Sequence, residues 1–239
     1  MSTETVAPHR PALPEASTVN NASEVTRALL ACGAVAGPIF LVVVILQVLT
    51  RSGFDLGHHP ISLLSVGDFG WIQIANFIVS GLLMLAFAIG LRRLSGGTWG
   101  PLLIGVYGLG LIVAGVFVPD PAWSFPPGSP EGIPSQISWH ATMHGVGFAL
   151  AFGSVSLACL VMARRSMANG QRTKAAYAVA SAVTAIVLAG WPGLDAASVR
   201  YFAAAVIVWT WTVVLAIDVN QAAARRPQGL ACEIKPSQE

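Results

Sequence analysis

Residues 139–163 of the chain read WHATMHGVGFALAFGSVSLACLVMA, an apolar run that contains no Asp, Glu, Lys or Arg. A helix needs roughly 20 residues to cross the hydrocarbon core of a bilayer, which is about 30 Å thick. The run exceeds that length, so it predicts one membrane-spanning helix that begins at Trp139.

Five further apolar runs of similar length lie before and after this one. The chain of 239 residues is 54% hydrophobic and only 10% charged, whereas an ordinary soluble domain carries about 25% charged residues. The sequence therefore predicts an all-α fold, a multi-pass membrane bundle of six transmembrane helices. The predicted spans are Ala28–Leu49, Ile72–Leu91, Pro101–Val118, Trp139–Ala163, Ala175–Leu194 and Tyr201–Val219.

The basic residues predict the orientation of the bundle. Eleven of the thirteen Lys and Arg residues fall on one side of the predicted spans, and only Arg51 and Arg200 fall on the other. Because Lys and Arg are enriched in cytoplasmic loops, both termini are predicted to be cytoplasmic, in the inner (cytoplasmic) membrane. We call the opposite side, which holds the first, third and fifth connections, the predicted outer side.

Three segments follow from this topology. The tail 1–25 is polar and rich in proline, which is typical of disorder. The transmembrane domain is predicted over 26–221, and a cytoplasmic tail over 222–239.

Composition also excludes several classes of protein. Cys32, Cys159 and Cys232 have no paired spacing, so a disulfide framework or a zinc-thiolate site is not indicated. Neither type of glycine-rich phosphate loop is present. The basic residues lie in short loops between apolar runs, so they indicate topology and no nucleic-acid partner.

Small residues four apart predict where helices pack closely. The pairs are Gly33 with Gly37, Gly110 with Ala114, and Ala149 with Gly153. Such spacing gives a helix a face without bulky side chains, which lets two backbones approach in a membrane.

His140 and His144 open the fourth span and predict the functional site. Residues four apart lie on the same face of a helix. An ionisable side chain inside a membrane is costly, and it usually marks a functional site with a partner or a water-filled cavity.

Other ionisable residues of the predicted outer side lie near this pair. His58, His59 and Asp55 fall in the first outer loop, and Asp120 follows the third span. Each also has a structural interpretation, because loop histidines are often solvated and Asp120 stands between two prolines that end a helix. We predict a site formed by His59, Asp120, His140 and His144, and the choice between His58 and His59 stays open.

Neutral imidazoles with nearby carboxylates are typical ligands of Zn²⁺. A metal with an open coordination position can activate water, so one prediction is a zinc-dependent hydrolase with His59, Asp120, His140 and His144 as ligands. Asp55 or Asp195 would support them. The sequence lacks the Glu of the His-Glu-x-x-His motif and the Gly-x-Ser-x-Gly elbow. Histidine and aspartate can equally relay protons in a transporter.

Short motifs carry a resemblance to a known family. They are Arg51…Asp55…His58-His59-Pro-Ile-Ser62, then Phe117-Val-Pro-Asp120-Pro, then His144-Gly145. Their order resembles the bacterial integral membrane proteins grouped as the domain-of-unknown-function 998 family, over about Ala28 to Val219. The resemblance implies a six-span fold, no established activity, and family-typical positions at Arg51, Asp55, His59, Ser62, Asp120 and His144.

A fainter similarity is to the ceramidase-like membrane hydrolases, which combine Ser, Asp and His at one membrane face. The six spans and the different spacing of this chain depart from that pattern. We predict Asp55, Ser62, Asp120 and His144 as the catalytic residues of such a chemistry.

Three functions therefore stay open. The first is a metal-dependent hydrolase of a lipid or small amphiphile, with Zn²⁺ or a similar metal as its cofactor and the identity of the metal left open. The second is a small proton-coupled transporter, and the third is a non-catalytic accessory protein whose outer cluster is a structural hydrogen-bond network. The lipid bilayer is the one partner that all three share.

Overall fold

The structure is a computed structural model that describes residues 16–95, 97–191 and 196–225. These residues form six α-helices and one short 3₁₀ helix. The helices are α1 (Ala16–Thr50), α2 (Gly70–Ser95), α3 (Trp99–Val116), α4 (Trp139–Ala168), α5 (Arg172–Gly190) and α6 (Ala197–Arg225), and the 3₁₀ helix (Ile61–Ser65) lies between α1 and α2.

All six helices are long and apolar enough to cross a membrane. The prediction of an all-α bundle with six spans is therefore confirmed. Its orientation, with both termini in the cytoplasm, stays a prediction.

Most helix ends lie within a few residues of the predicted spans. The largest difference is at α1, which begins at Ala16 and thus enters the segment 1–25 that was predicted as a disordered tail. The chain has no proline between Pro14 and Pro38, so nothing in the backbone prevents a helix from starting before the apolar run. Residues 1–15, 192–195 and 226–239, which include Asp195 and most of the predicted C-terminal tail, lie outside the described residues.

The helices form a ring. Each helix packs against the next one in the chain, and α6 packs against α1. The His59 side chain in the α1–α2 connection lies 2.8 Å from the carbonyl oxygen of Trp123 in the α3–α4 connection. Ser198, at the start of α6, donates a hydrogen bond of 2.8 Å to the carbonyl oxygen of His58. The connections α1–α2, α3–α4 and α5–α6 therefore lie at one end of the ring, the predicted outer side.

Glycines allow the closest contact between α3 and α4. A Cβ atom on Gly110 would lie 2.6 Å from the backbone nitrogen of Ala151, and one on Gly147 would lie 2.7 Å from that of Ala114. The predicted packing face of Gly110 and Ala114 is thus confirmed.

The packing residues of α4 differ from the predicted pair. Gly153 has no heavy atom within 4 Å of an added Cβ, and Ala149 is exposed. The prediction of an Ala149–Gly153 packing face was wrong, because the spacing of small residues does not show which side of a helix faces its neighbour. Gly147 and Ala151 form that face instead.

Buried amides join α1 and α2. The side chain of Asn76 donates a hydrogen bond of 3.1 Å to the carbonyl oxygen of Phe40. Gln47 donates one of 2.8 Å to the side-chain oxygen of Gln73. Interhelical hydrogen bonds of this kind stabilise membrane bundles modestly, at roughly 0.6 kcal/mol each.

Candidate functional site

A cavity of about 310 Å³ lies inside the ring, next to the predicted outer side. Residues from α1, α2, α3, α4 and α6 line it, together with the 3₁₀ helix and the segment 119–123 after α3. Ligand cavities in proteins typically measure about 300–1,000 Å³. The volume therefore suits a small amphiphile better than a whole phospholipid.

One wall of the cavity is a chain of aromatic rings. Phe40 lies with its ring centroid 5.5 Å from that of Phe77 and 5.1 Å from that of Trp209. Trp209 in turn lies 5.4 Å from Tyr107. Aromatic rings at these distances attract each other and form stiff, well-packed surfaces.

A second group of rings lines the cavity from α4 and α6. The ring centroids of Phe148 and Phe152 are 4.6 Å apart, and those of Phe148 and Tyr201 are 5.4 Å apart. Aromatic rings from five helices thus surround the apolar part of the cavity.

His144 lies at the polar end of the cavity and is only 9% exposed. Its Nδ1 atom lies 2.9 Å from the carbonyl oxygen of Ala114 and 2.9 Å from that of Phe117, at the end of α3. Because both partners can only accept a hydrogen bond, Nδ1 carries the proton and donates it. In the neutral ring, Nε2 is then an acceptor, and the described residues offer it no hydrogen bond.

Asp120 also lines this end of the cavity and is half-buried. Its Oδ2 atom accepts a hydrogen bond of 2.8 Å from the backbone N–H of Ser138. Ser138 caps α4, since its side chain accepts a bond from the backbone N–H of Ala141. The positive end of the α4 dipole therefore stabilises the Asp120 carboxylate and fixes its position.

The 3₁₀ helix brings Ser62 to the same cavity. Ser62 is half-buried, and it follows Pro60, which precedes the helix. Ser62, Asp120 and His144 thus come from three separate segments and meet around one cavity. The catalytic roles predicted for these three residues and for Asp55 stay predictions.

The connection between α1 and α2 (51–69) and the connection between α3 and α4 (117–138) pack together beside the cavity, and we call them the loop cap. His59 joins the two connections. Its Nδ1 atom accepts a bond of 2.9 Å from the backbone N–H of Asp55, and Nε2 lies 2.8 Å from the carbonyl oxygen of Trp123. The second bond requires a proton on Nε2. Both ring nitrogens of this buried histidine therefore have backbone partners.

Arg51 holds the same cap together. Its guanidinium donates to the carbonyl oxygens of Leu64, at 3.2 Å, and Val66, at 2.7 Å, and it lies 5.4 Å from the ring centroid of Phe125. Burial lowers the pKa of Arg51 from its ordinary value, and the charge of Asp68 acts in the opposite direction. The guanidinium remains charged at any physiological pH.

The four predicted metal ligands are not all brought together in the described structure, although Asp120 and His144 line one cavity. Within the described ranges, no group of three or more His, Cys, Asp or Glu side chains could hold a metal ion. Nδ1 of His144 and both ring nitrogens of His59 bond to the backbone, and His140 is exposed and packs on Trp139, with ring centroids 4.0 Å apart. A spacing of four residues places two rings on one helix face, but it does not determine what each ring bonds to.

Asp55 also lies apart from the cavity. It is exposed, and its Oδ1 atom accepts a bond of 2.8 Å from the backbone N–H of Gly57. A side chain that bonds two residues ahead stabilises a turn. The structure therefore places Asp55 in the loop cap, next to His59.

The aromatic lining was not predicted from the sequence. Tyr107 and Trp209 lie near the middle of apolar runs, where an aromatic residue is more often part of the core. The one available signal was the polar group of each residue, the hydroxyl of Tyr107 and the indole N–H of Trp209. Such a group needs a hydrogen-bond partner when it is buried in the middle of a span.

Six apolar helices in a ring, with a cavity between them, define a multi-pass α-helical membrane protein. The chain belongs to the family described as protein of unknown function (DUF998), whose family model matches residues 34–218. The predicted membership of this family is thus confirmed, and the family-typical positions stay predictions. Among the residues predicted for those positions, Arg51 and His59 hold the loop cap together, whereas Ser62, Asp120 and His144 line the cavity.

Neither the curated proteins nor the solved structures contain a match to the chain.

Proposed function

We propose that the protein binds a small amphiphile in the cavity, with the apolar body between the aromatic walls and the polar group beside Ser62, Asp120 and His144. The observation that supports this most is the unequal lining: apolar and aromatic over most of its area, and polar where the outer segments meet it. The apolar walls suit the apolar body of an amphiphile, and the polar end suits its polar group. Ligand binding is common to the hydrolase and transporter predictions, and it needs no metal.

The walls of the cavity support binding rather than simple packing. Large rings fill the interior of a bundle efficiently, and protein interiors leave few voids larger than a water molecule. An apolar cavity of about 310 Å³ that is partly open to its surroundings therefore leaves lining side chains without packing contacts. An amphiphile from the bilayer would restore the lost contacts.

Blocking the cavity is expected to abolish binding. Ala205 on α6 lines the cavity and is buried, so the ring of Ala205→Phe would occupy the space of the ligand. We expect saturable binding of radiolabelled 6-phenylhexanol to the wild-type protein in nanodiscs, and an affinity at least tenfold weaker for the variant, which is about 1.4 kcal/mol. Empty nanodiscs give the background of partition into lipid.

The matched control is Val214→Phe, on the same helix. Val214 is 47% exposed and does not line the cavity, so this variant adds a similar ring on the outer face of the bundle. It should bind like the wild type. Equal binding by Ala205→Phe and the wild type would contradict the proposal, because the probe would then be bound elsewhere.

A further inference from the structure

The polar end of the cavity carries a negative charge without a matching positive one. Asp120 is the one charged residue among those found to line the cavity, and no Lys or Arg is among them. An ion pair joins Lys174 to Asp218. These residues lie at the start of α5 and near the end of α6, which is the opposite end of the ring.

The α4 dipole stabilises Asp120 but does not neutralise it. A helix N-terminus contributes about half an elementary charge, and the hydrogen bond from Ser138 uses only Oδ2. Partial burial of a carboxylate without a counter-charge is unfavourable. A positive group next to Oδ1 would remove that cost.

The other polar groups at this end also favour a hydrogen-bond donor. Nε2 of His144 is an acceptor, because Nδ1 donates to two carbonyl oxygens. The Asp120 carboxylate can only accept. A ligand whose polar group only accepts, such as a carboxylate or a phosphate, would face two acceptors and a like charge.

The aromatic walls add attraction for the same kind of group. A cation within about 6 Å of an aromatic face is attracted by the negative charge of that face. Trp123 and Tyr201 line the cavity as well as Asp120 and His144. An ammonium group at this end would thus meet a carboxylate, an imidazole nitrogen and aromatic rings.

We infer that the ligand is a cationic amphiphile, with an ammonium group that donates to Asp120 and His144 and an apolar or aromatic body between the rings. This inference rests on the proposed binding function and specifies its ligand class. It excludes fatty acids and anionic phospholipids as the preferred ligands.

The test uses three probes that share one apolar body: 6-phenylhexylamine, 6-phenylhexanol and 7-phenylheptanoate. Binding is measured on the full chain in nanodiscs of zwitterionic lipid. This lipid has no net charge, so the bilayer does not concentrate the cationic probe. We expect the amine to bind at least tenfold tighter than the alcohol, and the carboxylate to bind weakest.

Asp120→Asn is the matching variant. Asparagine keeps the shape and an acceptor for the N–H of Ser138 but removes the charge. It should reduce the affinity for the amine about tenfold and that for the alcohol by a smaller factor, so that the preference for the amine is lost. Asp55→Asn is the control, because Asp55 is exposed on the same side and does not line the cavity. It should leave the order of the three probes unchanged.

The outcomes separate the two proposals. If no probe binds saturably, the proposed function itself is wrong. If the alcohol binds and the amine binds no tighter, or if Asp120→Asn keeps the full preference for the amine, the cavity binds amphiphiles but the cationic ligand class is wrong. Should Asp120→Asn fail to fold, as judged by size-exclusion chromatography, the order of the probes on the wild type still decides.

Discussion

Gly147→Val is expected to destabilise the bundle by about 3 kcal/mol or more, since overpacking a close contact typically costs 1–3 kcal/mol and backbone atoms leave little room to relax. A Cβ on Gly147 would lie 2.7 Å from the backbone nitrogen of Ala114 and 2.9 Å from the carbonyl oxygen of Gly110. These are backbone atoms of α3, so no side-chain rotation can relieve the clash. The two helices must separate, and His144, bonded across the same interface, would lose its partners.

The matched control is Gly153→Val on the same helix. An added Cβ at Gly153 meets no heavy atom within 4 Å, so the variant carries the same change in helix propensity without the clash. We expect the thermal midpoint of the detergent-solubilised protein, followed by size-exclusion chromatography, to fall strongly for Gly147→Val and little for Gly153→Val. A similar fall for both would show that α3 and α4 do not pack through Gly147.

His59→Leu is expected to destabilise the loop cap by about 2–4 kcal/mol. The substitution leaves the backbone N–H of Asp55 and the carbonyl oxygen of Trp123 without their partners. A buried polar group that loses its partner costs roughly 1–3 kcal/mol. Leucine keeps much of the apolar contact that the His59 ring makes with Phe54 and Phe125. The loss of stability therefore measures mainly the two hydrogen bonds.

His58→Leu is the neighbouring control. The His58 side chain is exposed, and the contact with Ser198 is made by the backbone carbonyl oxygen of His58, which the substitution keeps. Limited proteolysis of the first outer loop should be much faster for His59→Leu than for His58→Leu. The reverse order would identify His58 as the residue that joins the loops.

The number of the helices and most of their limits, though not the start of α1, could be predicted because they depend on local properties. A run of apolar residues with the length of a bilayer, such as 139–163, has few other stable conformations in a membrane. The helix pairs that pack closely could be predicted only in part. Gly110 was identified and Gly147 was not, because the direction in which a glycine faces depends on the neighbouring helix.

The burial of His144 could also be predicted, but the groups that surround it could not. The cost of an ionisable side chain inside a membrane pointed to His144 correctly as a buried residue with backbone partners. The same reasoning grouped His59 and His140 with it, although one lies in the cap and the other is exposed. Which groups meet depends on loop conformations that span many residues, as in the bond from His59 to Trp123.

The aromatic walls show a second limit. Phe40, Tyr107 and Trp209 come from three helices, and each alone is indistinguishable from a core residue. The three side chains form one wall of the cavity only because α6 packs against α1 and closes the ring of helices. Sequence spacing within one helix carries no information on this closure.

The most direct measurement is to map where an amphiphile binds, by photo-crosslinking the wild-type protein with a diazirine derivative of 6-phenylhexylamine and identifying the labelled residues by mass spectrometry. The account predicts labels on residues that line the cavity, such as Leu111, Phe148 and Ala205, and their loss when unlabelled amine is added in excess. Labels confined to exposed apolar residues such as Leu82 and Val183, unchanged by excess amine, would contradict it, because the probe would then report only the bilayer around the bundle.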